Sequence, residues 1–80
     1  MAETIHADRE LDCRGRSCPG PVFMVADEVE KLTPGMILKV LADDPASEED
    51  ITRWTKRTGN DLLKMEKSSN MVTFYIRKVK

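Results

Sequence analysis

Cys18 stands directly before Pro19-Gly20-Pro21, and Cys13 lies five positions earlier in the stretch Leu-Asp-Cys-Arg-Gly-Arg-Ser-Cys. A cysteine so placed can be a disulfide half, a metal ligand, a packing residue or a thiol presented for chemistry. Tetrahedral zinc sites draw on paired Cys or His spacings, and only His6 joins the two cysteines, so no metal is expected. A cysteine–histidine hydrolase is not expected either, because that sole histidine falls in an N-terminal segment away from the motif. Two cysteines are too few for a disulfide scaffold and in a reducing compartment persist as thiols.

The prolines favour the last of the four roles for Cys18. If a helix begins at Pro19, Cys18 is its N-cap, and the first turn holds N–H groups with no intrahelical acceptor. Proline fits there, since it has no N–H to leave unsatisfied and its φ is already close to helical. Pro19 and Pro21 thus remove two donors and leave Gly20 as the free N–H nearest the thiol. That N–H and the positive helix end favour the thiolate, lowering its pKa below the usual value of about 8.5. Arg14 and Arg16 would add positive potential, and Gly20 leaves room for an approaching sulfur or partner. Against this stands simple packing, since free cysteine is among the most buried residue types. Cys13 fits packing, because it continues the even spacing of Ile5, Ala7 and Leu11 along a strand.

The surrounding pattern predicts the elements that hold the motif. Thr4 to Asp12 reads as a first strand. From Pro19 to Leu32 the apolar residues Val22, Val25, Ala26, Val29 and Leu32 recur at helical spacing, and Thr33-Pro34-Gly35 ends the helix. Met36 to Ala42 is a buried strand. A second helix follows with Asp44 as cap, Pro45 at its first position and Gly59 at its stop; Ser47 with Asp50 is a competing cap. Ile51, Trp54 and Thr58 are expected to face inward. Leu62 to Lys67 and Met71 to Val79 flank Ser68-Ser69-Asn70 as a hairpin, with Val72, Phe74 and Ile76 on its buried face. The order β-α-β-α-β-β implies an α/β (α+β) two-layer sandwich, two helices on one face of a four-stranded mixed sheet.

Composition narrows the function. Eighty residues suit one domain, residues 1–80, with 1–8 as an N-terminal segment prone to fraying. A formal charge of -1 lacks the basic surplus of a general nucleic-acid binder, so direct nucleic-acid binding is not expected. No apolar run reaches the roughly 18 residues of a membrane span, and the N-terminus lacks a signal-peptide pattern. The expected compartment is the cytoplasm, with no membrane association.

At Cys18-Pro19-Gly20-Pro21 the chain resembles the TusA/SirA-like sulfur carriers, whose hallmark is Cys-Pro-x-Pro at the start of the first helix. "LDCRGRSCPGPV", "ADDPASEEDITRW", "RTGNDLL" and "FYIRK" resemble further signatures of that family, from about Leu11 to the end. The resemblance implies a sulfurtransferase of carrier type without cofactor or independent hydrolysis. Its motif cysteine, here Cys18, would hold sulfur as a persulfide or thiosulfonate, while Pro19 and Pro21 shape the helix start. Gly20 takes the variable position, where a familiar relative has glutamate. The implied partners are a donor protein, a cysteine desulfurase or rhodanese-like protein, and an acceptor such as a DsrE-like relay. The implied settings are tRNA thiolation or sulfur oxidation.

Other residues bear on partners. Met24, on the polar side of the first helix, and Phe23 at its edge are candidate docking contacts, against the alternative of isolated surface residues. Trp54 reads as core, and Arg53, Lys56 and Arg57 with Glu49 as a solvated, salt-bridged face. Asp43 and Asp44 fit a turn and cap, with a functional role only if the fold brings their loop beside Cys18. Two rival functions remain: an RNA- or protein-binding module on the wet sheet face around Lys64, Tyr75, Arg77 and Lys80, and a Cys13–Cys18 redox switch.

Overall fold

The computed structural model describes residues 5–15 and 20–79. The elements run β1 (Arg9–Asp12), α1 (Gly20–Glu30), β2 (Ile37–Ala42), α2 (Pro45–Arg57), β3 (Asp61–Ser68) and β4 (Met71–Arg77). The strands form one sheet in the order β1-β2-β4-β3. β1 runs parallel to β2, with Leu11 opposite Val40, and the other two pairings are antiparallel, with Val40 opposite Phe74 and Met65 opposite Phe74. The predicted mixed sheet with two helices is therefore the observed one.

Side-chain alternation builds the core. Leu38 and Val40 of β2 and Phe74 and Ile76 of β4 are fully buried on the helix-covered face. Pro21, Val25 and Val29 of α1, with Leu32 just beyond it, cover them from above. α1 and α2 pack against each other, so both helices lie on that one face. The opposite face is open, although Thr73 is buried there, flanked by its register partners Leu41 and Glu66 in the middle of the sheet. Fully burying each aliphatic or aromatic side chain contributes about 1.5–3 kcal/mol before entropy is charged against it.

Several sequence expectations need correction. β1 begins at Arg9 rather than Thr4 because its partner runs out: Asp8 N–H donates to the Ile37 carbonyl at 2.8 Å, and Ile37 opens β2. On α2 the inward stripe is Ser47, Ile51 and Thr55; Trp54 is half-buried against the core and Thr58 is exposed. Thr55 tolerates burial because its hydroxyl donates to the Ile51 carbonyl at 2.7 Å. Asp44 is the N-cap residue as expected, yet its carboxylate makes no capping bond to the backbone; it accepts the Ser47 hydroxyl at 3.3 Å. Gly59 ends the helix at φ +80, a left-handed conformation that disfavours any side chain bearing Cβ.

Candidate functional site

The chain reaches the cysteine motif through a fastened turn. At the end of β1, Cys13 N–H donates to the Leu41 carbonyl at 2.7 Å, and the Cys13 side chain is wholly inside the core. Packing is thus the role of Cys13. The next amide, Arg14 N–H, donates to Asp12 Oδ1 at 3.0 Å. The one after it, Gly15 N–H, donates to both carboxylate oxygens of Asp43, at 3.0 and 3.1 Å. Gly15 sits at φ +83 with nothing within 4 Å of the place a Cβ would occupy, so conformation rather than space calls for glycine.

Arg14 differs from its sequence reading. Its Nε and Nη2 donate to Asp12 Oδ1 and Oδ2 at 2.9 and 2.8 Å, a two-point contact that compensates the guanidinium charge locally. Its hydrogen bonds, through the side chain first and then the backbone, hold the Asp12 carboxyl down at about 2. Arg14 is therefore a structural partner of Asp12, with its charge compensated there.

Arg16, Cys18 and Pro19 lie outside the described residues, as do Ser17 and Lys80. Directly after Pro19, α1 opens at Gly20, a position with open space around it, and no acidic side chain falls in the first turn of the described helix. Pro21 is fully buried and anchors that turn in the core, a packing role beyond its missing N–H.

The two docking candidates separate. Phe23 is 67% exposed, an unusual state for so large an apolar side chain, whereas Met24 packs partly against the core and does not form an outward face. Phe23 and Val22 line a hollow of about 250 Å³ with Asp50, Arg53, Trp54 and Arg57 of α2. Arg53 is held by Glu49 at 2.7 Å, as the helical spacing of the pair predicts.

The open sheet face carries little free positive charge. Lys64 pairs with Glu66 at 3.3 Å, Arg77 with Asp61 at 2.6 Å, and Lys39 lies 6.0 Å above the Tyr75 ring. Lys64 and Arg77, the described cations of the proposed RNA face, thus each have an acidic partner on the protein, which lowers the net positive charge there. Among the described residues no helix is long and apolar enough to cross a membrane. Asp43, expected as a turn residue with a role only if its loop came near Cys18, contacts Gly15 and so brings that loop to the turn leading into the cysteine segment.

Comparison with known proteins fits this geometry. A family model described as sulfurtransferase TusA matches residues 9–78. A putative sulfur carrier protein of Aquifex aeolicus is 45% identical over 95% of the chain, which spans only 39% of that relative's length. The putative sulfur carrier protein of Archaeoglobus fulgidus is 38% identical over 89% of this chain and 92% of its own. The sulfur carrier protein TusA of Pseudomonas aeruginosa PAO1 is 36% identical over 94% of this chain and 95% of its own. In three dimensions a SirA-like protein from Desulfitobacterium hafniense superimposes with a TM-score of 0.78, covering 90% of this chain and 99% of that one at 22% identity, a likeness of fold. With a family model matching residues 9–78 and relatives of this identity over nearly the whole chain, the protein belongs to the sulfurtransferase TusA family.

Proposed function

We propose that this single-domain protein is a sulfur carrier that accepts sulfane sulfur on Cys18 and hands it to an acceptor protein. One observation carries the reading: the chain belongs to a sulfurtransferase family, and of its two cysteines Cys13 is sealed in the core, which leaves Cys18 of the Cys-Pro-Gly-Pro motif for the chemistry. Only one thiol then stands at a position in the chain where a helix start can favour its anion. Pro19 and Pro21 shape that start, and Gly20 supplies the N–H nearest the sulfur.

The chemistry is a balanced exchange. Cys18 thiolate attacks the terminal sulfur of a donor persulfide, R–S–SH. A new S–S bond forms as the old one breaks, R–S⁻ leaves, and Cys18–S–SH remains. An acceptor thiolate then attacks the terminal sulfur in the same way and releases Cys18 as thiolate. No outside oxidant or reductant enters, and no hydrolytic step is needed. A cysteine desulfurase or rhodanese-like donor and a DsrE-like acceptor suit this exchange, in a cytoplasmic pathway such as tRNA thiolation or sulfur oxidation; a thiosulfonate cargo would use the same cysteine.

Incubation with a cysteine desulfurase and cysteine, followed by peptide mapping, tests the reading. The expected product is a gain of about 32 Da, one sulfur atom, on the Cys18 peptide, lost on treatment with a thiol reductant. A Cys18→Ser variant that still takes up sulfur overturns it.

A further inference from the structure

We propose that the outer edge of β3 is a self-association surface, where two copies of this chain join β3 to β3 in antiparallel register about a two-fold axis at Met65. Among the described residues β3 ends the sheet, pairing with β4 on one side only, and it is the longest strand. Its other side presents backbone N–H and C=O groups as a template for a further antiparallel strand. Leu63 and Met65, both large and apolar, are 38% and 39% exposed on this strand. The inference uses no residue of the cysteine motif and is independent of the carrier reading.

The register follows from the charges. Residues directly opposite in an antiparallel pair share a face, so the axis must pass through one residue, which then meets its own copy. Within the regular stretch of β3, Lys64 to Lys67, centring on Lys64, Glu66 or Lys67 sets like charges against each other. Centring on Met65 sets an apolar side chain on its copy and places Lys64 opposite Glu66 of the second copy, twice. Lys64 and Glu66 are register partners of Tyr75 and Thr73, so both lie on the open face, where they pair within one chain at 3.3 Å. Self-association replaces that pair with two cross-strand ones. The irregularity in the β3–β4 pairing, between Leu62 and Lys64, falls outside this centre.

The helix above β3 agrees with the same axis. β3 returns alongside α2 in the opposite direction, since Lys67 near its end pairs at 2.9 Å with Glu48 in the first turn of α2. Met65 lies opposite Phe74 on the helix-covered face and lines a groove of about 550 Å³ with Glu48, Glu49, Arg53 and Lys56. Along α2 these charges run acidic first and basic last. A two-fold axis perpendicular to the sheet sets the two α2 helices antiparallel on one side of the joined sheet. Glu48 and Glu49 of each copy then come toward Arg53 and Lys56 of the other. One symmetry operation thus matches strand charges and helix charges together, which favours a second copy over a strand from another protein.

Sedimentation velocity of the full chain tests this over a dilution series reaching the millimolar range, with a thiol reductant present so that no cysteine cross-link contributes. Wild type should pass from the mass of one chain to that of two as concentration rises. Lys64→Glu and Glu66→Lys each set like charges opposite one another twice, and each alone should weaken association about ten-fold or more. When Lys64→Glu chains are mixed with Glu66→Lys chains, every such pair is again opposite in sign, and the dimer should return. Lys64 is half-exposed and Glu66 exposed, so both variants keep the core, and a circular dichroism melt checks this. Wild type that stays monomeric throughout overturns the inference, including where an extended peptide from another protein takes the edge instead. A dimer that neither variant weakens, or a mixture that associates no better than each variant alone, overturns it as well.

Discussion

The Asp12 carboxylate and the Arg14 guanidinium meet at two points, 2.9 and 2.8 Å, and Asp12 also takes the Arg14 amide at 3.0 Å. Three donors from one residue thus converge on one carboxylate, at the bend where β1 gives way to the segment leading to Cys18. A carboxylate accepting several such bonds is favoured in its charged form, which is why its midpoint falls to about 2.

Stability linked to this pair has a defined sign. The folded midpoint of Asp12 lies below the ordinary aspartate value, so the contribution is complete above about pH 4 and is lost as pH falls through about 2. Following the Asp12 carboxyl carbon by NMR should give a midpoint near 2, and in Arg14→Gln it should return toward about 3.9. A wild-type midpoint near the ordinary value would dissolve the pair. The contact is solvent-exposed, so the effect on global unfolding above about pH 4 should be small.

Cys13 is fully buried in the same core cluster as Val25 and Val40, so its replacement should affect folding and leave sulfur handling alone. Cys13→Ser places a hydroxyl where the thiol packed and should cost about 1–3 kcal/mol in urea unfolding. Folded Cys13→Ser should still load Cys18 with sulfur to the wild-type extent by mass spectrometry. Loss of loading in that folded variant would revive a dithiol switch between the two cysteines.

Particular residues show how far sequence reasoning reached. The spacing of Val25, Val29 and Leu32 gave the buried stripe of α1, and the alternation of Phe74 and Ile76 gave that of β4, because apolar periodicity reports directly on burial. On α2 the same method pointed to Ile51, Trp54 and Thr58; Ile51 is buried, Trp54 packs partly against the core and Thr58 is exposed, whereas the inward stripe is made of Ser47, Ile51 and Thr55. Two of those three are polar, and their hydroxyls are satisfied locally by Asp44 and by the Ile51 carbonyl, so polarity concealed burial. Pro-Gly-Pro singles out Cys18 in the sequence, and that residue lies outside the described ones. The contact between Asp43 and the Gly15 amide was not legible, because the two are 28 positions apart in sequence and the β1–β2 pairing brings their loops together.

Phe23 and Met24, adjacent on α1, differ in exposure, and that difference allows a docking role to be tested apart from packing. Phe23 is mostly exposed, so Phe23→Ser should change stability by no more than about 0.5 kcal/mol. Its effect should appear in delivery. Loading of Cys18 from inorganic polysulfide, which needs no protein surface, should keep its wild-type rate. Transfer from the loaded chain to a protein acceptor should slow several-fold, because the partner loses the aromatic edge of the hollow shared with Trp54 and Arg57. Met24→Ala should do the reverse: it trims a side chain half-packed on the core and should cost about 1–2 kcal/mol in urea unfolding, with delivery by the folded fraction unchanged. Equal delivery rates for Phe23→Ser and wild type would move the docking surface away from this hollow, whereas a delivery defect in Met24→Ala at wild-type stability would return it to the residue that the helical spacing first suggested.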